Sequence, residues 1–221
     1  MPSPFDYPAQ TRVFVVTDVD RRNVGQVAAA YRALVEAAGG GTLGLFTAIA
    51  RLKAVHERIA GPLEAAGLEL LAQHVDGMDA ATLVDIFRAE ENSSLLGTDA
   101  LRDGVDVPGR SLRLVVFDRV PWPRPDILHK ARKAAFGQRW DDLLTRLRLK
   151  QAYGRLVRRA GDTGVFVLLD PQFPSRLHTA FPPGVAIERV GLKEAVERTR
   201  GFLAAARSAE VSSASPPCHS R

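Results

Sequence analysis

The stretch Leu112-Arg113-Leu114-Val115-Val116-Phe117-Asp118-Arg119-Val120-Pro121-Trp122-Pro123-Arg124-Pro125 decides the fold. Its first half is a short apolar run ending on a carboxylate, the pattern of a strand covered on both faces. Its second half carries three prolines, which remove ladder donors and cannot sit inside a strand or helix. The segment therefore reads as a strand, Leu112–Asp118, followed by an ordered loop. Loops at the carboxyl ends of such strands are where doubly wound sheets build their sites.

Similar short apolar runs recur on both sides: Arg12–Val16, Thr42–Thr47, Leu68–His74, Ser94–Thr98, Val165–Asp170 and Val185–Val190. Helical patterns lie between them, at Asn23–Ala38, Ala48–Ile59, Asp79–Glu90, Asp126–Leu149, Gln151–Arg159 and Leu192–Ala206. Asn23 is a plausible cap for the first, and Gly39-Gly40-Gly41 stops it. The alternation predicts an α/β domain of three layers around a mostly parallel sheet. No repeat and no Pro/Gly/Ser-rich interior linker divides the chain. One domain over residues 1–206 and a disordered tail over 207–221 are expected.

Of the 221 residues, 46% are hydrophobic, enough for one substantial core. The longest apolar runs fall far short of the roughly 18 to 20 residues of a membrane span, and the N-terminus lacks a signal pattern. The single cysteine, Cys218, leaves no disulfide and no cysteine-ligated metal site. Reducing cytoplasm is the expected compartment, with no membrane partner. The net charge of +5 is unevenly spread: between Lys130 and Arg159 ten basic side chains stand against Asp141 and Asp142. Such an excess suits a polyanion, although a solvated Arg-rich face gives the same pattern.

Three constellations could carry chemistry. Gly104-Val105-Asp106-Val107-Pro108-Gly109-Arg110-Ser111 has the glycine spacing of a phosphate loop. It carries Arg110 where the lysine belongs and precedes a strand instead of opening a helix, so it is rejected as a Walker A motif. In Gln151-Ala152-Tyr153-Gly154-Arg155-Leu156-Val157-Arg158, helical geometry would gather Gln151, Arg155 and Arg158 within roughly 60° of one another. Gly154 inside that helix would mark a close approach to the backbone, since glycine there costs about 1 kcal/mol. An exposed basic helix with an incidental glycine reads the same way. The stretch from Gly97 to Gly109 places Thr98 and several carboxylates after a strand, suited to phosphate or ribose contacts or simply to a turn. His56 and His74 lack partners at metal-ligand spacing and read as structural. Trp122, Trp140 and Tyr153 could stack on bases, but burial against the sheet is the expected fate of each.

The order of these segments resembles the C-terminal RecA-like motor domain of DinG/XPD-type superfamily-two ATP-dependent DNA helicases. The resemblance runs from about Ser3-Pro4-Phe5-Asp6 to Ala206. It rests on Leu45-Phe46-Thr47-Ala48, Thr98-Asp99, Asp103-Gly104-Val105-Asp106-Val107-Pro108-Gly109, Val115 to Pro123, Gln151-x-x-Gly154-Arg155-x-x-Arg158 and Gly164 to Asp170. It implies a P-loop NTPase-type, RecA-like fold without a Walker A of its own. It implies that Arg155 and Arg158 are arginine fingers for the γ-phosphate of ATP on a partner lobe, with Gln151 orienting them. Asp103, Gly104 and Asp106 would approach the nucleotide, and Thr98 and Thr47 would contact the DNA backbone. ATP and Mg2+ would be held mainly by an N-terminal motor domain, which in many relatives also carries an iron–sulfur cluster.

The chain departs from the family at Asp103-Gly104, where Glu-Gly is usual, at Arg102, where an aromatic is usual, and at Gln172, where an arginine is common. The first motor domain, with its Walker A lysine and Walker B acids, has no counterpart in these residues. The expectation is a second motor domain present as a fragment, a split subunit or a mis-started reading frame, unable to hydrolyse ATP alone. Single-stranded or forked DNA and the N-terminal motor domain are the expected partners, and DNA repair or replication is the implied setting. The competing reading is a non-catalytic nucleic-acid-binding or regulatory module derived from a helicase. A small-molecule phosphotransferase is disfavoured by the absence of a phosphate loop.

Overall fold

The computed structural model describes residues 4–98, 101, 111–124, 126–137 and 139–214. Seven strands form one sheet in the order β3-β4-β2-β5-β6-β1-β7, and every pairing is parallel. They are β1 (Thr11–Val16), β2 (Thr42–Phe46), β3 (Glu69–Ala72), β4 (Ser93–Thr98), β5 (Leu114–Phe117), β6 (Gly164–Leu168) and β7 (Ile187–Val190). All seven expected strands are present; the interior ones are apolar runs, as a sheet covered on both faces requires, while the edge strand β7 carries Glu188 and Arg189.

Helices close the two faces. Alternation along each strand sends Val13, Val15, Leu43, Leu45, Val115, Phe117, Phe166 and Leu168 to one side. There they meet Leu83 and Phe87 of α4 (Ala80–Ala89) and Leu149, Ala152 and Tyr153 of α6 (Trp140–Tyr153). Phe14, Val16, Phe46, Leu96, Val116 and Val167 face the other side, against α2 (Val24–Ala38), α3 (Ile49–Ala65) and α7 (Leu192–Ala214). The short α1 (Tyr7–Gln10), capped by Asp6, and a 3-10 turn at Ser175–Ala180 complete the elements together with α5 (Ile127–Phe136).

Capping fixes α2 as the sequence indicates. The Asn23 side chain accepts from the Gln26 N–H, and Gly39 ends the helix in the left-handed region at φ 66°. The carbonyls released there are met by distant guanidinium groups: Arg113 donates to Gly39 O at 2.7 Å and also to Glu91 O, after α4, at 3.0 Å, and Arg207 donates to Ala38 O. Arg113 is 7% exposed, a buried cation satisfied by helix-terminal carbonyls.

Several boundaries differ from expectation. Residues 126–149 form two helices instead of one, because Gly137 sits at φ 82°, ψ −178°, a conformation open essentially to glycine alone. The helix expected over Gln151–Arg159 is absent: α6 stops at Tyr153, and residues 154–163 turn back toward β6. That turn is held by the Asp162 carboxylate, which accepts the N–H groups of Arg158 and Arg159 at 2.8 Å each. Gln10 Nε2 also donates to Ala160 O and Asp162 O. Gly154 is thus the C-cap of α6 at φ −64°, and only carbonyls of its own last turn lie close to it, so it marks no foreign approach. The strand expected over Leu68–His74 ends at Ala72, with His74 at φ 68°, and α7 runs on past Ala206 to Ala214.

Candidate nucleic-acid interface

The carboxyl ends of β2, β4 and β5 carry the clearest concentration of polar chemistry. Thr47 follows β2, Thr98 ends β4, and Asp118 follows β5. Asp118 is fully buried and accepts the Thr47 N–H at 3.2 Å, Arg51 Nε at 2.8 Å and Arg119 Nε at 3.3 Å. Burial pushes its carboxyl above the usual carboxylate value, while the two guanidinium groups and the peptide N–H pull the other way. On the neighbouring strand end, Gln73 Oε1 accepts both the N–H and the hydroxyl of Thr98 at 3.0 Å. Each threonine backbone is therefore pinned by a buried acceptor on an adjacent segment.

Between these strand ends and the α5–α6 pair lies a cleft of about 500 Å3, lined by both threonines and by His74, Arg124, Asp126, His129, Arg132, Trp140 and Arg148. Three arginines outnumber its one acid, and Asp126 is committed to capping α5 through the His129 N–H. Arg124 reaches across to donate to Thr47 O at 2.6 Å, closing one end. Asp141 ties the two helices together, taking His129 Nε2 at 2.7 Å and also Lys133 Nζ. Burial alone would raise the Asp141 carboxyl, but Lys133 and His129 outweigh it and hold it below the ordinary value.

A second acid network stiffens the neighbouring loops. Asp170, after β6, accepts Arg21 at 2.7 Å, the Val120 N–H at 3.0 Å and the Gln172 N–H at 3.1 Å. Arg21 also donates to Gln172 Oε1 at 2.6 Å. A guanidinium from the β1–α2 connection thus stands beside Gln172, where the resemblance leads one to look for an arginine.

The expected site residues separate into two groups. Thr47 and Thr98 come together in the cleft. Gln151, in the last turn of α6, and Arg155 and Arg158, on the turn beyond it, lie near the starts of β1 and β6, at the opposite end of the sheet. The single helical face expected for these three is overturned by the end of α6 at Tyr153. Arg155 is half-buried and Arg158 exposed. Asp103, Gly104 and Asp106 lie outside the described residues. Tyr153 is buried as expected, but Trp122 is 36% exposed and Trp140 half-buried in the cleft wall. Arg124, Arg132 and Arg148 were not singled out as ligand contacts from sequence; the basic run and the proline-rich loop were their signal.

A family model described as the helicase C-terminal domain matches residues 31–185. The chain belongs to the helicase C-terminal domain family. Over 159 residues it is 41% identical to the ATP-dependent helicase DinG of Mycobacterium tuberculosis, a match covering 66% of this chain and 22% of that protein. It is 32% identical over 192 residues to the ATP-dependent DNA helicase YoaA of Escherichia coli, covering 81% and 29%. The matches thus span less than a third of these relatives. An XPD helicase structure superposes with a TM-score of 0.60 at 18% identity, over 81% of this chain and 35% of that one. The C-terminal domain of the DEAD-box protein Dbp5 does so at 0.52 and 16%, over 88% and 98%. This helicase C-terminal domain is therefore similar to those of DinG and YoaA, and its RecA-like fold is shared with XPD and Dbp5. Among the described residues no helix is long and apolar enough to cross a membrane.

Proposed function

We propose that this chain is the second motor lobe of a DinG-like ATP-dependent DNA helicase, holding single-stranded DNA in the Thr47–Thr98 cleft and completing an ATP site on a first lobe. The observation that carries this reading is the convergence of Thr47 and Thr98, from two different strands, on one arginine-lined cleft. Neutralising a phosphate backbone needs clustered cations, and the loops at strand ends supply them. The Thr98 hydroxyl donates to Gln73, so a contact to phosphate requires it to exchange that bond and donate to a phosphate oxygen instead.

ATP, bound when two lobes close, supplies the phosphoanhydride whose cleavage drives the cycle. Arg155 and Arg158 place positive charge against the γ-phosphoryl oxygens, and the Asp162 and Gln10 bonds hold their turn in one geometry. In this reading Asp103, Gly104 and Asp106 serve the nucleotide, and Gln151 orients the arginines. Among the described residues no three His, Cys, Asp or Glu side chains gather as a metal-ligand set. In this reading Mg2+, and any iron–sulfur cluster, belong to the first lobe. Work in the cytoplasm on repair or replication intermediates fits this role.

The test is reconstitution with the first motor lobe of a DinG-type relative. Arg155→Ala should lower DNA-stimulated ATPase by about 10³ to 10⁵, the contribution of an arginine finger; a loss under about tenfold refutes the finger assignment. Because the cleft is formed within this chain alone, a non-catalytic binding module is the second reading. It predicts salt-dependent binding of single-stranded DNA with no change on adding nucleotide and the first lobe.

A further inference from the structure

Phe136 is 67% exposed, one of the most open large apolar side chains described, yet it is not loose. Its ring stacks on Trp140 with centroids 4.9 Å apart and planes 21° from parallel. Trp140 in turn forms part of the cleft wall, beside Arg132 and Arg148. The Trp140 indole N–H is buried without a hydrogen-bond partner among the described residues, so hydrogen bonding does not explain the ring's placement. The stack holds across the Gly137 turn, and α5 is clamped to α6 by His129 and Lys133 on Asp141. The outcome is a stacked aromatic pair in which Trp140 is half-buried and Phe136 is open to water.

We infer that Phe136, stacked on Trp140 of the cleft wall but outside the cleft lining itself, is a base-stacking platform next to the cleft, so that single-stranded DNA is held by its bases there as well as by its phosphates in the cleft. Every base offers a π-face, and a positively charged groove combined with a fixed aromatic surface is what sequence-tolerant binding requires. The local charge selects this occupant over an apolar protein surface. Of the two acids between Lys130 and Arg159, Asp141 is taken by His129 and Lys133, and Asp142 by Arg176 at 2.9 Å. Arg132 and Arg148 line the same cleft wall as Trp140, and a polyanion gains from their charge where an apolar partner does not. Trp122, also exposed, is a poorer platform, because the Arg176 guanidinium already lies 5.7 Å from its ring centroid.

This inference rests on the nucleic-acid reading of the same cleft, and the experiment separates the two. The 221-residue chain is titrated with a single-stranded oligothymidylate and with an abasic tract of equal phosphate number, at one salt concentration. Phe136→Ala should weaken oligothymidylate binding by about five- to hundredfold, the effect of losing one stacked base, and leave abasic binding unchanged. Phe136→Trp should restore the preference. Equal effects on both tracts, or none, overturn the platform while Arg132→Ala weakening both tracts preserves the cleft. If wild type binds neither tract at low salt, the cleft reading and the platform both fail. If Phe136→Ala instead abolishes self-association, with Leu143 and Leu147 as the neighbouring exposed surface, the patch docks protein and the inference is wrong.

Discussion

Asp118 accepts the Thr47 peptide N–H at 3.2 Å, joining the carboxyl ends of β5 and β2 through a carboxylate with no exposed surface. The same group neutralises Arg51, whose side chain is only 15% exposed. Removing one partner of a buried pair strands the other, which costs about 3–5 kcal/mol. Asp118→Ala should therefore lose about that much in urea unfolding. Asp118→Asn, which keeps an acceptor for Thr47, should lose less and retain more DNA binding. Equal stabilities for the two variants would show that the Thr47 contact contributes nothing.

Arg132 lines the cleft from the exposed side of α5. A phosphate contact acts through counterion release, so Arg132→Ala should reduce the slope of log affinity against log salt by about one, for every sequence tested. An unchanged slope would remove Arg132 from the interface.

Gly137 takes φ 82° and ψ −178°, and a substituted Cβ there meets no neighbouring atom, so any penalty is conformational. Gly137→Ala should cost about 1–3 kcal/mol and separate Phe136 from Trp140, visible as a change in Trp140 fluorescence. A variant with wild-type stability and fluorescence would mean that α5 and α6 are not set by this turn.

This turn also shows where sequence reading stops. Strands β1 to β6 were legible because each contains consecutive apolar residues, whereas the edge strand β7, Ile-Glu-Arg-Val, carries two charged residues between apolar ends. The break at Gly137 was not, because one glycine within a helical pattern costs only about 1 kcal/mol and does not by itself end a helix. The turn after Tyr153 was hidden for another reason. Gln151 to Arg158 is compatible with a helix locally, and it is Asp162 and the distant Gln10 that capture the backbone instead. Thr47 and Thr98 were legible as strand-end residues, whereas Phe136 read as part of a helix whose exposed side only packing defines.

Tyr153 meets Thr11 Oγ1 at 2.6 Å, and Thr11 spends its own hydroxyl proton on Tyr7 O at 2.7 Å, so Tyr153 is the donor. Burial pushes the phenol up to about 12. The folded protein then holds this proton where the unfolded chain releases it, and the associated stability is lost as pH rises from 10 toward 12. Tyr153→Phe should cost about 1 kcal/mol near neutrality and remove that part of the alkaline decline, measured by urea midpoints across pH. An identical alkaline profile in both proteins would assign the decline to other groups.

Asp162 offers the sharpest separation of the two ends of the sheet. Its carboxylate accepts the Arg158 and Arg159 N–H groups, at the strand starts, while the cleft lies beyond the strand ends. Asp162→Ala strands those donors, costing about 1–3 kcal/mol, and releases the turn that carries Arg155 and Arg158. If these arginines serve the nucleotide and the cleft serves DNA, the variant should lower ATPase of the reconstituted pair of lobes at saturating DNA. Its affinity for single-stranded DNA should match wild type at a temperature where both are folded. Loss of DNA affinity in step with ATPase would place the arginine turn on the DNA-binding surface and overturn the division of labour between the two ends.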